Sequence, residues 1–399
     1  MPTDRPSPEP PEGPDAHPAP GGSPGVDVRR AIQRPRSMRR RIRLGDVARL
    51  HPGGAARGEG GQPAGGQDSG RQRVVVVTGA SAGVGRAIAR AFGTRGDTVA
   101  LIARTELALE EAAREVESAG GRAMVLPLDV ADAPAVEAAA AQVEADLGPI
   151  DIWVNNAMVS VFSPVHETPA EEYRRVTEVT YLGYVHGTLA ALRRMRPRDR
   201  GTIIQIGSAL AYRAIPLQSA YSAAKHAING FSESLRAELL HDGSNVQVVQ
   251  VQLPAVNTPQ FDWVRSRLPN RPQPMPPIFQ PELIADAVVW VADHPRRELV
   301  IGAPARLAIL VDRLVPGVGD RWLARGGYRS QQTDAPDDPG RADNLFQPVA
   351  GLHRTHGRFD DRARSTSPLW WWTRHVGGLG TVGIAAAVAG LAALVRRVR

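Results

Sequence analysis

The sequence predicts an α/β fold in which a doubly wound parallel sheet carries helices on both faces. Between residues 73 and 329, short apolar runs rich in Val and Ile alternate with longer segments whose apolar residues recur every three or four positions. The apolar runs are continuous, which is typical of strands buried on both faces of a parallel sheet. Strands that alternate with helices of this length form βαβ units, so we expect one domain over residues 71–329.

The predicted strands and helices alternate along this region. Strands are expected at residues 74–77, 98–103, 123–128, 150–155, 202–206, 246–253 and 298–301. Helices are expected between them, at residues 86–92, 106–118, 134–146, 169–195 and 219–240.

Composition separates this domain from the two ends of the chain. Residues 1–70 are rich in Pro and Gly, carry nine arginines between Arg29 and Arg49, and lack the short apolar core of a secretory signal, so we expect a disordered basic arm. Residues 330–369 are polar and rich in Pro and Asp, which predicts a linker. The formal charge is +7, but no recognition motif accompanies it, so no nucleic-acid partner is expected.

The last segment, residues 370–399, is predicted to be a membrane-anchoring helix. Three tryptophans at positions 370–372 precede an uncharged run over residues 376–395. Twenty helical residues span roughly 30 Å, which is the thickness of a bilayer core. The run is built largely from Ala and Gly, so a packed or surface-lying helix stays open as an alternative. With the anchor, the domain would be membrane-associated on the cytoplasmic side; without it, we expect a cytoplasmic protein.

A glycine-rich turn follows the first predicted strand. The turn leads directly into a helix, where free N–H groups and the positive end of the helix attract a phosphate. Glycine lets the backbone turn sharply and approach a pyrophosphate closely. This context indicates a Rossmann-type dinucleotide site whose loop contacts are Gly79, Ser81, Ala82, Gly83, Val84 and Gly85.

Arg104 stands at the end of the second predicted strand, about twenty residues after the glycine turn. An NAD-binding domain usually offers a carboxylate to the ribose hydroxyl here, whereas an arginine accommodates a 2′-phosphate. Arg104 therefore favours NADP(H) over NAD, although Glu106 lies nearby. The chain has no cysteine, which excludes a thiolate metal site and a cysteine nucleophile, and no metal is expected.

The glycine spacing resembles that of the short-chain dehydrogenase/reductase family, and the resemblance covers roughly residues 73–329. It implies a Ser, Tyr and Lys set, which matches Ser208, Tyr221 and Lys225. It also implies cofactor contacts at Asp129, Val130, Asn156, Ala157, Pro254, Val256 and Thr258, and from the catalytic Tyr221 and Lys225.

The Tyr221 and Lys225 side chains share one helix face because four residues separate them. Lys225 is the only lysine in the chain. A free tyrosine has a pKa near 10, and we expect the neighbouring ammonium to lower it so that Tyr221 exchanges the proton as hydride moves to or from nicotinamide. Lys225 would also hold the ribose, and Ser208 would position the substrate oxygen.

Three positions depart from the family pattern. Thr180 stands where the family usually has an asparagine that helps link the lysine to water. We expect Thr180 to take this place in catalysis, with a slower or rerouted proton relay. Met158 and Ala255 replace glycines beside the fourth and sixth strands. Residues 260–281 correspond to the family's mobile substrate-covering segment; their aromatic and aliphatic side chains would face an apolar substrate or pack on the domain.

These residues predict an NADP(H)-dependent oxidoreductase that interconverts an alcohol and a ketone or aldehyde on a hydrophobic substrate. We also expect a homo-oligomer. The three departures from the family pattern leave open a protein of another functional class. It would be a membrane-tethered NADP(H)-binding sensor or scaffold with weak or no turnover. Retention of Ser208, Tyr221 and Lys225 favours the enzyme, because a protein that only binds needs no tyrosine base.

Overall fold

The computed structural model describes residues 72–376 apart from residues 315 and 339. The predicted basic arm, residues 1–70, lies outside this part of the chain. So does the predicted membrane span over residues 376–395, apart from its first residue.

The described elements alternate as predicted. The strands are β1 (Val74–Thr78), β2 (Thr98–Ala103), β3 (Arg122–Pro127), β4 (Ile150–Asn155), β5 (Val161–Phe162), β6 (Thr202–Ser208), β7 (Gln247–Leu253), β8 (Ala255–Val256), β9 (Arg265–Ser266), β10 (Asn270–Pro272), β11 (Ile278–Phe279), β12 (Glu298–Val300) and β13 (Gln332–Pro336). The helices are α1 (Gly83–Thr94), α2 (Glu106–Ser118), α3 (Ala133–Leu147), α4 (Ala170–Thr177), α5 (Gly183–Met195), α6 (Ser219–His241), α7 (Gln260–Trp263), α8 (Pro281–Asp293), α9 (Ala303–Leu314), α10 (Pro316–Ser330) and α11 (Pro368–His375).

Within the described residues, seven strands form one parallel sheet in the order β3-β2-β1-β4-β6-β7-β12. β1 lies near the middle and every residue of it is buried, as its run of valines predicts. The chain winds in opposite directions from β1, so a crevice opens at the carboxyl ends of β1 and β4. The predicted doubly wound parallel sheet of Rossmann type is confirmed.

Two apolar clusters hold helices on opposite faces of the sheet. Alternate residues of a strand point to opposite faces. Val75 and Val77 of β1 lie in one cluster with Phe92 of α1 and with residues of α2 and α8. Val74 and Val76 lie in the other, with residues of α3, α5 and α6. The sheet is therefore covered on both sides.

The long helix predicted at residues 169–195 contains an irregular turn. α4 and α5 are joined by a π-helical turn, Glu178–Leu182, and the helical path continues through it. Such turns occur frequently at functional sites. This one contains Thr180.

Residues 331–376, called the C-terminal wrap below, are folded against the domain. β13 pairs antiparallel with β10, and the fully buried Gln331 donates its side-chain amide to the carbonyl of Pro216. Leu345 and Phe359 are buried in apolar clusters. The predicted linker over residues 330–369 is therefore corrected to a folded segment, and the domain continues through residue 376.

Polar contacts explain why composition concealed this packing. Arg341 donates to the backbone carbonyls of Asp262 and Val264, and Arg358 pairs with the Asp262 carboxylate. An arginine fork can satisfy several acceptors at once. Hydrogen bonds between arginines and carbonyls, rather than a regular apolar period, hold much of the wrap in place.

The last helix of the wrap, α11, packs on α8. Trp370 is 4% exposed, its indole Nε1 donates to Asp286 at 2.9 Å, and its ring meets Trp290 edge to face. The prediction that this tryptophan lies at a membrane interface is thus wrong, whereas Trp371 and Trp372 are exposed. In residues 72–376, no helix combines the length and the apolar character needed to cross a bilayer.

Candidate active site

A cavity of about 650 Å³ opens at the carboxyl edge of the sheet. This edge is where open α/β sheets bind ligands. Two predicted site residues, Gly85 and Thr180, do not line the cavity. The predicted residues that line it are Gly79, Ser81, Ala82, Gly83, Val84, Arg104, Asp129, Val130, Asn156, Ala157, Ser208, Tyr221, Lys225, Pro254, Val256 and Thr258.

The glycine-rich turn forms a tight cradle at the start of α1. Gly79 has a φ of +68°, a conformation that favours glycine. A Cβ on Gly85 would lie 2.1 Å from the Gly79 carbonyl oxygen, so this glycine permits the close packing of turn on helix rather than contacting a ligand. Ala82 precedes the helix and has no side chain that could cap it. The arrangement fits a dinucleotide whose phosphates meet the helix start.

Asn156 and Thr78 fix the position of this cradle. The Asn156 side-chain amide donates to the Thr78 carbonyl at 2.9 Å, and the Thr78 hydroxyl accepts from the backbone N–H groups of Asn156 and Ala157. Asn156 thus ties the end of β4 to the end of β1. Its side chain acts on the loop as well as lining the cavity.

Arg104 lines the cavity beside the C-terminal wrap. Its guanidinium donates to the carbonyls of Asn344 at 2.6 Å and Phe346 at 3.1 Å. Burial lowers the pKa of Arg104, and the nearby Asp129 carboxylate opposes that effect. The position predicted to face a 2′-phosphate therefore has a cation, with two backbone oxygens of the wrap as its present partners.

Asp129 is also engaged by protein groups. Its carboxylate accepts from the Ala131 N–H at 3.0 Å and from the Arg175 guanidinium, which in turn donates to the Leu345 carbonyl.

The C-terminal wrap also reaches the glycine-rich turn. The Gly83 N–H donates to the Arg354 carbonyl at 2.9 Å. The wrap thus touches α1, Arg104 and Arg175, and Asn344, Pro348, Val349 and His353 complete this wall of the cavity.

Ser208, Tyr221 and Lys225 meet where β6 and α6 adjoin the cavity. Ser208 ends β6 and is 6% exposed, while Lys225 is 2% exposed. The Lys225 Nζ lies 5.6 Å from the centre of the Tyr221 ring. The structure therefore brings the three predicted residues into one place.

The pKa of Tyr221 differs from the prediction. Burial raises it to about 12, and a hydrogen bond with Ser208 only partly opposes this. Burial likewise lowers the pKa of Lys225 to about 7. The expectation that the ammonium lowers the Tyr221 pKa below 10 is corrected, because the cost of burying a phenolate is the larger effect. Tyr221 is consequently a protonated group at neutral pH.

Thr180 does not contact Lys225. Its Oγ1 donates to the Val159 carbonyl at 2.8 Å and accepts from the Val159 N–H at 3.1 Å, so it anchors the loop after β4 to the π-helical turn. Lys225 instead donates to the hydroxyl of Tyr184 at 2.9 Å. Sequence reasoning missed Tyr184, because nothing in the spacing of the two residues along the chain indicates its contact with Lys225.

The remaining lining of the cavity is mainly apolar. It includes Leu210 and Ile215 after β6, Met275 and its flanking prolines, and Trp322 and Leu323 of α10. An ion pair between Arg213 and Asp312 also lines the cavity. The predicted substrate-covering segment, residues 260–281, is divided in its contacts. Leu268 and Ile278 pack into a cluster with Phe162 and Phe359, whereas Met275 faces the cavity.

Comparisons with known proteins agree with this geometry. Residues 73–268 match the family model of short chain dehydrogenases. An uncharacterised oxidoreductase of Bacillus subtilis, YxnA, is 32% identical over 285 residues, or 71% of this chain and 80% of that protein. A fatty acyl-CoA reductase of Acinetobacter baylyi is 31% identical over 64% of this chain and 84% of its own length. The structure of a short-chain dehydrogenase from Streptomyces avermitilis is 28% identical, with a TM-score of 0.54 over 64% of this chain and 99% of that one.

These similarities extend beyond the glycine-rich turn to most of each relative. They confirm the predicted family, the predicted enzyme class and a nicotinamide cofactor. The chain therefore belongs to the short-chain dehydrogenase family of oxidoreductases.

Proposed function

We propose that the protein is an NADPH-dependent reductase of apolar aldehydes or ketones. The observation that carries this proposal is a protonated Tyr221 beside Ser208 and Lys225, in a cavity whose lining is mainly apolar. The related fatty acyl-CoA reductase points to long-chain substrates, so long-chain aldehydes are the first compounds to test.

The chain's own residues supply the proton and hold the reacting oxygen. When bound, the cofactor supplies a hydride to the carbonyl carbon. The Ser208 hydroxyl donates a hydrogen bond to the carbonyl oxygen, and Tyr221 transfers its proton to that oxygen as the alcohol forms. The Tyr221 phenolate left behind is stabilised by the Lys225 ammonium until it regains a proton.

The preference for NADPH rests on Arg104. The glycine cradle and the start of α1, with Val84, would hold the phosphates, and Thr258 would be available to the nicotinamide carboxamide. Arg104 would face the 2′-phosphate in place of the wrap carbonyls. The predicted membrane association, cytoplasmic location and homo-oligomer stay predictions.

The test is NADPH oxidation by the full chain with long-chain aldehydes, apolar ketones and a long-chain acyl-CoA. The full chain is required because the C-terminal wrap lines the cavity. We expect Tyr221→Phe to lower turnover at least about 100-fold, since the proton donor is lost. Tyr173→Phe is the matched control, because its hydroxyl bonds Ser219 outside the cavity.

Two results would oppose the proposal. If Tyr221→Phe turned over carbonyls as fast as wild type, Tyr221 would not be the acid. If wild type bound NADPH but reduced nothing in the panel, the binding-protein alternative would replace the reductase.

A further inference from the structure

Three polar groups form a closed hydrogen-bonded triangle beneath the cavity. The Lys225 Nζ donates to the Tyr184 hydroxyl at 2.9 Å and to the Ile206 carbonyl at 2.7 Å. The Tyr184 hydroxyl donates to the same carbonyl at 2.9 Å. Tyr184 is 1% exposed, so water does not compete freely for these contacts.

Tyr184 contacts Lys225 through its ring as well as its oxygen. The Nζ lies 4.5 Å from the centre of the Tyr184 ring, within the range of a cation–π interaction. An ammonium has three N–H donors. Two are used by Tyr184 and Ile206, which leaves one for the cavity that Lys225 lines.

The geometry points to Tyr184 as the positioning residue of Lys225. It fixes the direction of the ammonium and stabilises its charged form, whereas the sequence predicted that Thr180 would assist Lys225 as part of its proton relay. Thr180 is occupied with both backbone groups of Val159 and offers Lys225 no acceptor. This inference rests on the proposed reductase for its catalytic meaning, but the contact itself can be tested without turnover.

Tyr184 acts against the desolvation of Lys225. Burial lowers the pKa of Lys225 to about 7, which brings the neutral amine within the physiological range. The titratable groups facing Lys225 are Tyr184 from α5 and Tyr221 from its own helix, and burial raises the pKa of both, so neither supplies a negative charge. The Tyr184 oxygen therefore provides a neutral acceptor that favours the ammonium.

The single lysine permits a direct measurement. Protein labelled with ¹³C-lysine gives signals from one side chain, and their chemical shifts can be followed against pH in the full chain. We expect Tyr184→Phe, which keeps the ring but removes the acceptor, to lower the Lys225 pKa by about one pH unit. Tyr173→Phe should leave it unchanged, because its hydroxyl contacts Ser219 instead.

The kinetic arm uses a carbonyl compound that wild type reduces. In Tyr184→Phe, the alkaline limb of kcat/KM should move to lower pH by the same amount as the lysine titration, with the loss in kcat rather than in the KM for substrate. A merely structural role would lower the melting temperature without moving either pH curve.

An unchanged Lys225 titration in folded Tyr184→Phe overturns the inference. If wild type reduces no carbonyl compound, the proposed function fails, while the lysine titration still decides whether Tyr184 holds Lys225.

Discussion

At the scale of single residues, the site combines a buried cation with two neutral phenols. Lys225 has no carboxylate partner among its described contacts; its acceptors are the Tyr184 hydroxyl and the Ile206 carbonyl. Burial of a charge without a counter-charge lowers the stability of the fold. The fold tolerates this loss because the ammonium is needed for function.

Replacement of Lys225 by Met should therefore abolish turnover and leave the fold as stable or more stable. The Tyr184 hydroxyl keeps its bond to the Ile206 carbonyl, so neither group loses its last partner. The folded-state pKa of Lys225, about 7, lies below its ordinary 10.5, so the unfolded chain binds more protons between these values. The contribution of Lys225 to the free energy of unfolding of the wild type thus rises as the pH increases from about 7 to 10.5.

Denaturant unfolding of both proteins at several pH values checks this. The stability advantage of Lys225→Met should be largest at or below pH 7 and should shrink as the pH rises. An advantage that stayed constant with pH would show that the ammonium is not desolvated in the folded state.

The sequence could predict Ser208, Tyr221 and Lys225 because their spacing along one strand and one helix defines them. It could not predict Tyr184, whose partner Lys225 is 41 residues away and is met only when the start of α5 reaches α6 in the folded chain. Thr180 was predicted to take part in the proton relay of Lys225. The π-helical turn in which it sits directs its hydroxyl to Val159.

At the scale of elements, the parallel strands and their helices were predictable because the spacing of apolar residues along a segment indicates which of its faces is buried. The C-terminal wrap was not, because its folding depends on pairing with β10 and on arginine contacts with distant carbonyls. Polar composition predicts exposure only where the polar groups have no partners within the protein.

Two truncated chains test whether residues 331–376 are a folded wall of the cavity or only a linker. A chain ending at residue 376 retains every described contact and should bind NADPH like the full protein. A chain ending at residue 330 loses Leu345, Phe359 and Trp370 from apolar clusters and should melt at a markedly lower temperature and bind NADPH more weakly. Equal melting temperatures and affinities for the two would contradict the packing described for the wrap.

At the scale of the whole molecule, cofactor binding should stabilise the fold, because the cavity joins α1, the sheet and the wrap. A ligand at 100 times its Kd adds about 2.7 kcal/mol to the free energy of unfolding. We expect NADPH to raise the melting temperature more than NADH at equal concentration, since Arg104 favours the 2′-phosphate.

Arg104→Ala should remove most of that difference by weakening NADPH binding about 10- to 100-fold while changing NADH binding little. The exposed Arg90 on α1 provides a matched control, Arg90→Ala. A preference for NADPH that survived in Arg104→Ala would assign the 2′-phosphate to another cation.

The burial of the only lysine also determines how the folded protein responds to a lysine-specific protease. Lys225 is 2% exposed and lies in the second turn of α6. A lysine-specific protease therefore has one cleavage position in the whole sequence, and the native fold encloses it. Cleavage at Lys225 would consequently report local unfolding of α6, one event per molecule.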